Sequence, residues 1–227
     1  MSTRKYEQRA RAASAEETRR RILDAVYERL RDAPAESVRV DAVAQMAGVA
    51  RSTIYLIFGS RAGLFDAFGR YVYERAGFDR IVEAVKHPDA REHLRGSLRA
   101  ASEVYAAERD VARALYSMGL LDPDAMAGAA QRLENSRAGG MEYLARRLAD
   151  QGALRPDVTE AEATDILWVI ASFDSFDLLY TGRGLAPTEV ADHLIAMAER
   201  SLCRPTVDLH AGLDGAGAGH IDRTRSS

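Results

Sequence analysis

The sequence predicts an all-α fold, a short helical unit near the N-terminus followed by a longer antiparallel helical domain, about nine helices in all. Three observations predict it. Between its six prolines, at positions 34, 88, 123, 156, 187 and 205, the chain is rich in Ala, Leu, Arg and Glu, all good helix formers. Proline lacks an N–H and its ring clashes with the preceding turn, so these positions mark breaks between helices. Apolar residues recur with a period of about 3.6, and little β-branched alternation reads as strand.

The first helix is expected to start at a capping box, Ser14-Ala-Glu-Glu17, in which the serine bonds the N3 amide and the glutamate reaches back. Its apolar stripe is Ile22, Leu23, Val26, Tyr27 and Leu30. A second, short stripe of Val40, Val43, Ala44 and Ala47 is cut off by Gly48, the residue type best able to take the left-handed conformation past a helix end. A third helix restarts near Arg51 and runs to Phe58. Two brief helices joined by a tight glycine-containing turn are a helix-turn-helix signal. Gly59-Ser60-Arg61 ends the third helix, and Ser60 is placed to cap a fourth whose stripe is Leu64, Phe65, Phe68, Tyr71 and Val72.

At about 100° per residue, the third helix turns Ile54, Ile57 and Phe58 inward. Arg51, Ser52, Tyr55 and Leu56 turn outward, with Thr53 at the flank. A guanidinium, hydroxyls, a phenol and an apolar side chain at the start of such a helix suit the base edges of a DNA major groove. Leu56 is the unusual member, either an ordinary exposed leucine or a contact for a thymine methyl. Arg61 opens the fourth helix, where dipole and side chain both favour an anion, and a DNA phosphate is expected there.

The stretch VRVDAVAQMAGVARSTIYLIFGSRAGLFDAF, residues 38–68, resembles the DNA-binding region of TetR-family transcriptional regulators. That region usually carries Ile-Ala, an Ala-Gly-Val turn, Thr-(Leu/Ile)-Tyr, a Phe, then Lys and Leu. Here those places hold Val43-Ala44, Ala47-Gly48-Val49, Thr53-Ile54-Tyr55, Phe58, Arg61 and Leu64. The resemblance implies a two-fold homodimer, a ligand-responsive all-α domain in each chain, and control of genes through a palindromic operator in double-stranded DNA. The sequence also departs from the family pattern. Arg39 stands where a capping Thr or Ser is common, Ala50 where a Ser often caps the recognition helix, and Ile57 where a His or Tyr often bonds phosphate. Phosphate anchoring is therefore expected to fall on Arg39, Tyr55, Arg61 and an N-terminal arm bearing Arg4, Lys5, Arg9 and Arg11, for which a solvated leader is the alternative.

Further helices are expected near 88–121, 123–152, 159–181 and 187–203, in a bundle with short connections. Apolar residues cover nearly the whole circumference of 159–181, so that helix needs burial on more than one side. The resemblance implies that it and the final helix build a dimeric four-helix bundle, with Phe173, Phe176, Asp177, Leu194 and Met197 at the interface. Burial within one subunit is the alternative. Asp174 and Asp177, three residues apart on one face, are expected to make polar contacts across that interface or to meet a ligand. A mostly apolar pocket for a small-molecule effector is expected among the middle helices. Its candidates are Tyr105, Arg113, Tyr116, Met118, Met126, Met141, Tyr143 and Trp168, against the plainer reading of each as core or surface.

The 31 Lys and Arg against 34 Asp and Glu give a net charge of −3, at first sight at odds with a DNA partner. The sum hides two unlike parts: residues 1–70 hold 13 basic and 9 acidic side chains, residues 71–227 hold 18 and 25. The basic part carries the helix-turn-helix. No apolar run approaches the about 20 residues of a membrane span. The N-terminus lacks the apolar segment of a secretory signal, and the single cysteine, Cys203, fits a reducing compartment, so a cytoplasmic address is expected. The histidines are scattered without ligand spacing, and no metal or cofactor is expected. The chain lacks G-x-S-x-G, H-E-x-x-H and the phosphate-binding glycine loops, which argues against an enzyme.

The expected division is a flexible basic arm over 1–13, a helix-turn-helix DNA-binding domain over 14–61, a ligand-binding and dimerisation domain over 62–204, and a flexible glycine-rich tail over 205–227. The functional expectation is a repressor released from its operator by a small molecule. The alternatives are a transcriptional activator, or a helical adaptor that has lost DNA affinity.

Overall fold

The computed structural model describes residues 2–34, 36–121 and 129–205, with the side chains of 10, 12–34, 36–118 and 134–205. Among the described residues it holds eleven α-helices and no strand. They are α1 (Ser2–Asp32), α2 (Val40–Met46), α3 (Arg51–Phe58), α4 (Arg61–Arg75), α5 (Asp79–Val85), α6 (Ala90–Ala107), α7 (Arg109–Leu121), α8 (Ala129–Asp150), α9 (Glu160–Ile170), α10 (Phe173–Tyr180) and α11 (Pro187–Leu202). Residues 206–227, all of the expected tail but Pro205, and Met126 lie outside the described residues.

The short helices at the N-terminal end follow their stripes and caps. Gly48 takes φ 63° and lets the Val49 amide donate back to the Ala44 carbonyl at 3.0 Å, closing α2. Arg39 and Ala50 stand at the N-caps of α2 and α3 without any side-chain capping bond. Gly59, at φ 76°, ends α3, and the Ser60 hydroxyl accepts from the Gly63 amide at 2.9 Å to start α4. Ile22, Leu30, Val43, Ile54, Leu64, Phe65 and Phe68 are buried in one cluster, which Val111, Ala114 and Met118 of α7 complete from the other side.

Four expectations need correction. The helix at the front starts well before the Ser14 box: Ser14 lies inside α1, its carbonyl accepting from the Thr18 hydroxyl at 2.8 Å. Arg, Ala, Glu and Gln in the preceding segment sustain a helix, so the segment expected as a flexible arm is helical from Ser2. The expected helix over 88–121 is two, α6 and α7, parted at Glu108. That over 159–181 is also two, because the hydroxyls of Ser172 and Ser175 both donate to the Val169 carbonyl while Ser172 Oγ accepts from the Ser175 amide. Serine side chains that bond nearby backbone in this way end one helix and cap the next. Finally, α5 fills a stretch with no foreseen element.

A second buried cluster joins α6, α8, α9, α10 and α11. Phe173, Phe176 and Leu194 belong to it, so they cannot carry the subunit interface expected of them. Outward apolar residues on these helices include Val169, 61% exposed, and Leu178, 71% exposed, together with Met197 and Tyr143.

Candidate functional site

On α3, Ile54 is wholly buried, which fixes the helix on its core and leaves Arg51, Ser52 and Leu56 in solvent. Leu56 is 85% exposed. Thr53 and Tyr55 are half-buried, and the Tyr55 ring packs against the core rather than standing outward. Arg51 donates to Asp41 of α2 at 3.1 Å and to the Tyr55 hydroxyl at 3.3 Å, and its guanidinium lies 5.5 Å from the Tyr55 ring centroid. Those bonds, the Tyr55 one foremost, hold Arg51 charged. Arg61 is drawn back to the Val38 carbonyl at 3.4 Å, next to the exposed Arg39. Both guanidinium-bearing residues therefore sit at the α2 end of the same unit.

A cavity of about 600 Å³ opens among α4, α6, α7, α8, α9 and α10. Its wall is strongly aromatic, including Phe65, Tyr73, Tyr105, Tyr116, Trp168 and Phe173. The Tyr116 ring stacks on Phe173 with centroids 5.1 Å apart, and Tyr105 meets the same ring edge-on at 5.4 Å. Burial pushes the phenols of Tyr73, Tyr105 and Tyr116 up, so all three stay neutral near pH 7. Arg137 lies 3.5 Å from the Trp168 ring centroid and also donates to the Trp168 carbonyl at 2.7 Å and to Glu134 at 2.8 Å. Glu108 joins this wall from the break between α6 and α7.

Residues 22–68 match the family model described as bacterial regulatory proteins, tetR family. The match covers part of α1, all of α2 and α3, and part of α4. No curated protein sequence matches the chain. Solved structures similar in fold include NalD, the secondary repressor of the MexAB-OprM multidrug efflux pump in Pseudomonas aeruginosa, at TM-score 0.66 and 23% identity, covering 86% of this chain and 100% of that one. A TetR family transcription regulator from Marinobacter aquaeolei VT8 aligns at TM-score 0.64 and 18% identity, covering 87% and 100% of the two chains. The fatty acid degradation regulator FadR from Bacillus halodurans aligns at TM-score 0.63 and 15% identity, covering 79% and 93%.

Within this TetR-type fold, four of the expected pocket residues, Tyr105, Arg113, Tyr116 and Trp168, line the cavity. Met118 instead belongs to the core beneath α1–α4, Met141 packs on the second core, and Tyr143 is exposed. Thioether and aromatic side chains at helical spacing serve core and pocket alike, so the sequence does not separate them. Sequence reasoning missed Tyr73, Glu108, Glu134 and Arg137. Tyr73 lies just past the α4 stripe, and its place beside Val72 was the one available signal.

The paired carboxylates of α10 part company: Asp174 is exposed and lines the cavity, whereas Asp177 is buried within the chain. Asp177, 7% exposed, accepts from Arg109 at 2.8 and 3.2 Å, from Arg113 at 2.6 Å and from the Thr181 hydroxyl at 2.6 Å. Burial opposes its ionisation, but these hydrogen bonds outweigh burial and hold it well below the usual carboxylate range. Asp174 meets Arg113 at 3.0 Å. Both tie α10 to α7 within one chain. Among the described residues, no helix is long and apolar enough to cross a membrane.

Proposed function

We propose that the protein is a sequence-specific, ligand-responsive transcriptional repressor that binds a palindromic operator as a homodimer in the cytoplasm. The observation that carries this reading is α3: a helix anchored by the wholly buried Ile54 that offers Arg51, Ser52 and Leu56 to solvent inside a TetR-family domain. Arg51 and Ser52 present donors for base edges or phosphates, Leu56 an apolar contact, and Thr53, Tyr55, Arg39 and Arg61 flank them for the backbone. The excess of basic over acidic side chains in residues 1–70 supports the same assignment.

The aromatic cavity supports the effector half of the reading. Its size falls in the range of small-molecule sites, and it is walled by α4 and α7, which both share a core with α1–α3. An effector that binds the DNA-free form more tightly shifts the population away from the operator. In a dimer the two α3 helices must lie one helical turn apart, about 34–36 Å, so a small displacement of α4 is enough to spoil the match. Val169, Leu178 and Met197 supply an apolar surface for the second subunit. The protein acts by binding and not by catalysis.

The test is a paired substitution. Arg51→Ala with Tyr55→Ala abolishes operator binding if α3 reads DNA, and unchanged binding would favour the helical adaptor.

A further inference from the structure

Among the described residues, one carboxylate on the cavity wall has a buried oxygen without a hydrogen-bond partner. Glu108 is 8% exposed and lines the cavity wall. Its Oε1 lies 3.4 Å from Arg75 Nε and the Tyr27 hydroxyl approaches the same carboxylate, whereas its Oε2 is buried with no hydrogen-bond partner among the described residues. A carboxylate oxygen taken from water without a donor carries a cost that a bound donor would recover. The two guanidinium groups on the same wall are committed elsewhere. Arg113 holds Asp174 at 3.0 Å and Asp177 at 2.6 Å, and Arg137 holds Glu134 at 2.8 Å while lying over Trp168. The rings of the wall already hold these cations, Arg113 lying 4.7 Å from the Phe173 centroid and Arg137 3.5 Å from that of Trp168. An anion with one oxygen lacking a donor, beside cations that are already paired, favours a cation as occupant.

We propose that the cavity takes a hydrophobic organic cation, an aromatic body bearing a protonated amine, with the ammonium donating to Glu108 Oε2. This rests on the effector reading above and names the chemical class of that effector. It also supplies a route to the DNA-binding domain. Arg75, at the end of α4, reaches the same carboxylate, lies 4.4 Å from the Tyr27 ring centroid of α1, and donates to the Tyr71 hydroxyl at 3.4 Å. A second cation on Glu108 competes with Arg75, and so loosens the tie among α7, the end of α4 and α1.

The test is calorimetric titration of the full chain with three probes that share one ring: naphthylmethylammonium, neutral naphthylmethanol and anionic naphthoate. The cation is expected to bind about tenfold more tightly than the alcohol, as a charge-assisted hydrogen bond in a buried site provides. The anion is expected to bind no better than the alcohol. Glu108→Gln removes the cation's advantage and leaves the alcohol's affinity within about twofold, which also shows the variant folded. Arg75→Gln, which deletes the competitor, tightens the cation. Equal binding of cation and alcohol, tighter binding of naphthoate, a preference that survives Glu108→Gln, or no binding of any probe would each overturn the proposal. An operator titration run with the cation separates the two readings. Binding through Glu108 with unchanged operator affinity upholds the ligand class and overturns the effector role.

Discussion

Arg51 of α3 is hydrogen-bonded to Asp41 of α2 at 3.1 and 3.3 Å, so the guanidinium that opens the reading face is held across the helix-turn-helix. Both side chains are more than half exposed, and such a pair adds little to stability. Its effect is to orient the planar fork before DNA arrives. Arg51→Lys keeps the charge and loses the fork. The expected result by fluorescence anisotropy is a loss of about 1–3 kcal/mol on the operator, with nearly unchanged affinity for a scrambled duplex.

Leu56 is 85% exposed, and the proposed reading gives it a contact in the groove, against an ordinary exposed leucine. A thymine methyl is the apolar feature a major groove offers. Replacing single operator thymines by uracil is expected to weaken wild-type binding at one position in each half-site. The Leu56→Ala protein should be insensitive to that replacement, and equal sensitivity in both would refute the contact.

The part of the fold that was legible in the sequence is the part governed by local pattern. The stripes of α1–α4, the bounds of α3 and the Ser60 cap follow from spacing and cap chemistry within a few residues. What was not legible depends on distant partners. Arg109 and Asp177 are 68 residues apart, and nothing local marks their pairing or the interruption at Glu108 beside it. The break at Ala171-Ser172 required knowing that two serine hydroxyls turn back on Val169. The cavity was half legible for a similar reason: Tyr105 and Trp168 stand out by type, whereas Glu108 acquires meaning only through burial without a second donor.

Asp177 and Asp174 differ sharply in burial, and stability should separate them. Asp177→Ala leaves Arg109 and Arg113 without their shared carboxylate and is expected to cost about 3–5 kcal/mol in chemical denaturation. Asp174→Ala removes an exposed pair and is expected to cost less than about 1 kcal/mol. Similar losses for both would contradict the assignment of Asp177 as the junction of α7 and α10.

Leu178 projects from α10 at 71% exposure beside the apolar Val169. If these residues meet a second subunit, Leu178→Glu places a charge in a dry interface. Light scattering should then report a dimer for the wild type and a monomer for the variant, with the helical content of the two alike. A wild-type monomer would remove the homodimer from the account.

His93 of α6 is buried, with its Nδ1 3.1 Å from an Arg147 guanidinium nitrogen. Burial, reinforced by the charges of Arg147 and then His87, pushes its pKa from the ordinary value of 6.5 down to about 4. The unfolded chain therefore binds a proton that the folded chain refuses across that window. Stability from this group is present above pH 6.5 and is lost as pH falls toward 4, with no further loss below. Melting temperature followed over that range should fall less steeply for His93→Asn than for the wild type.

Whether α3 reads DNA sequence is decided by the full chain's affinity for an operator selected from random duplexes compared with a scrambled duplex at about 150 mM salt. The expected preference is about a thousandfold or more, lost when Arg51 and Tyr55 are replaced by alanine. Equal affinity for both duplexes, or a preference indifferent to those substitutions, would contradict it.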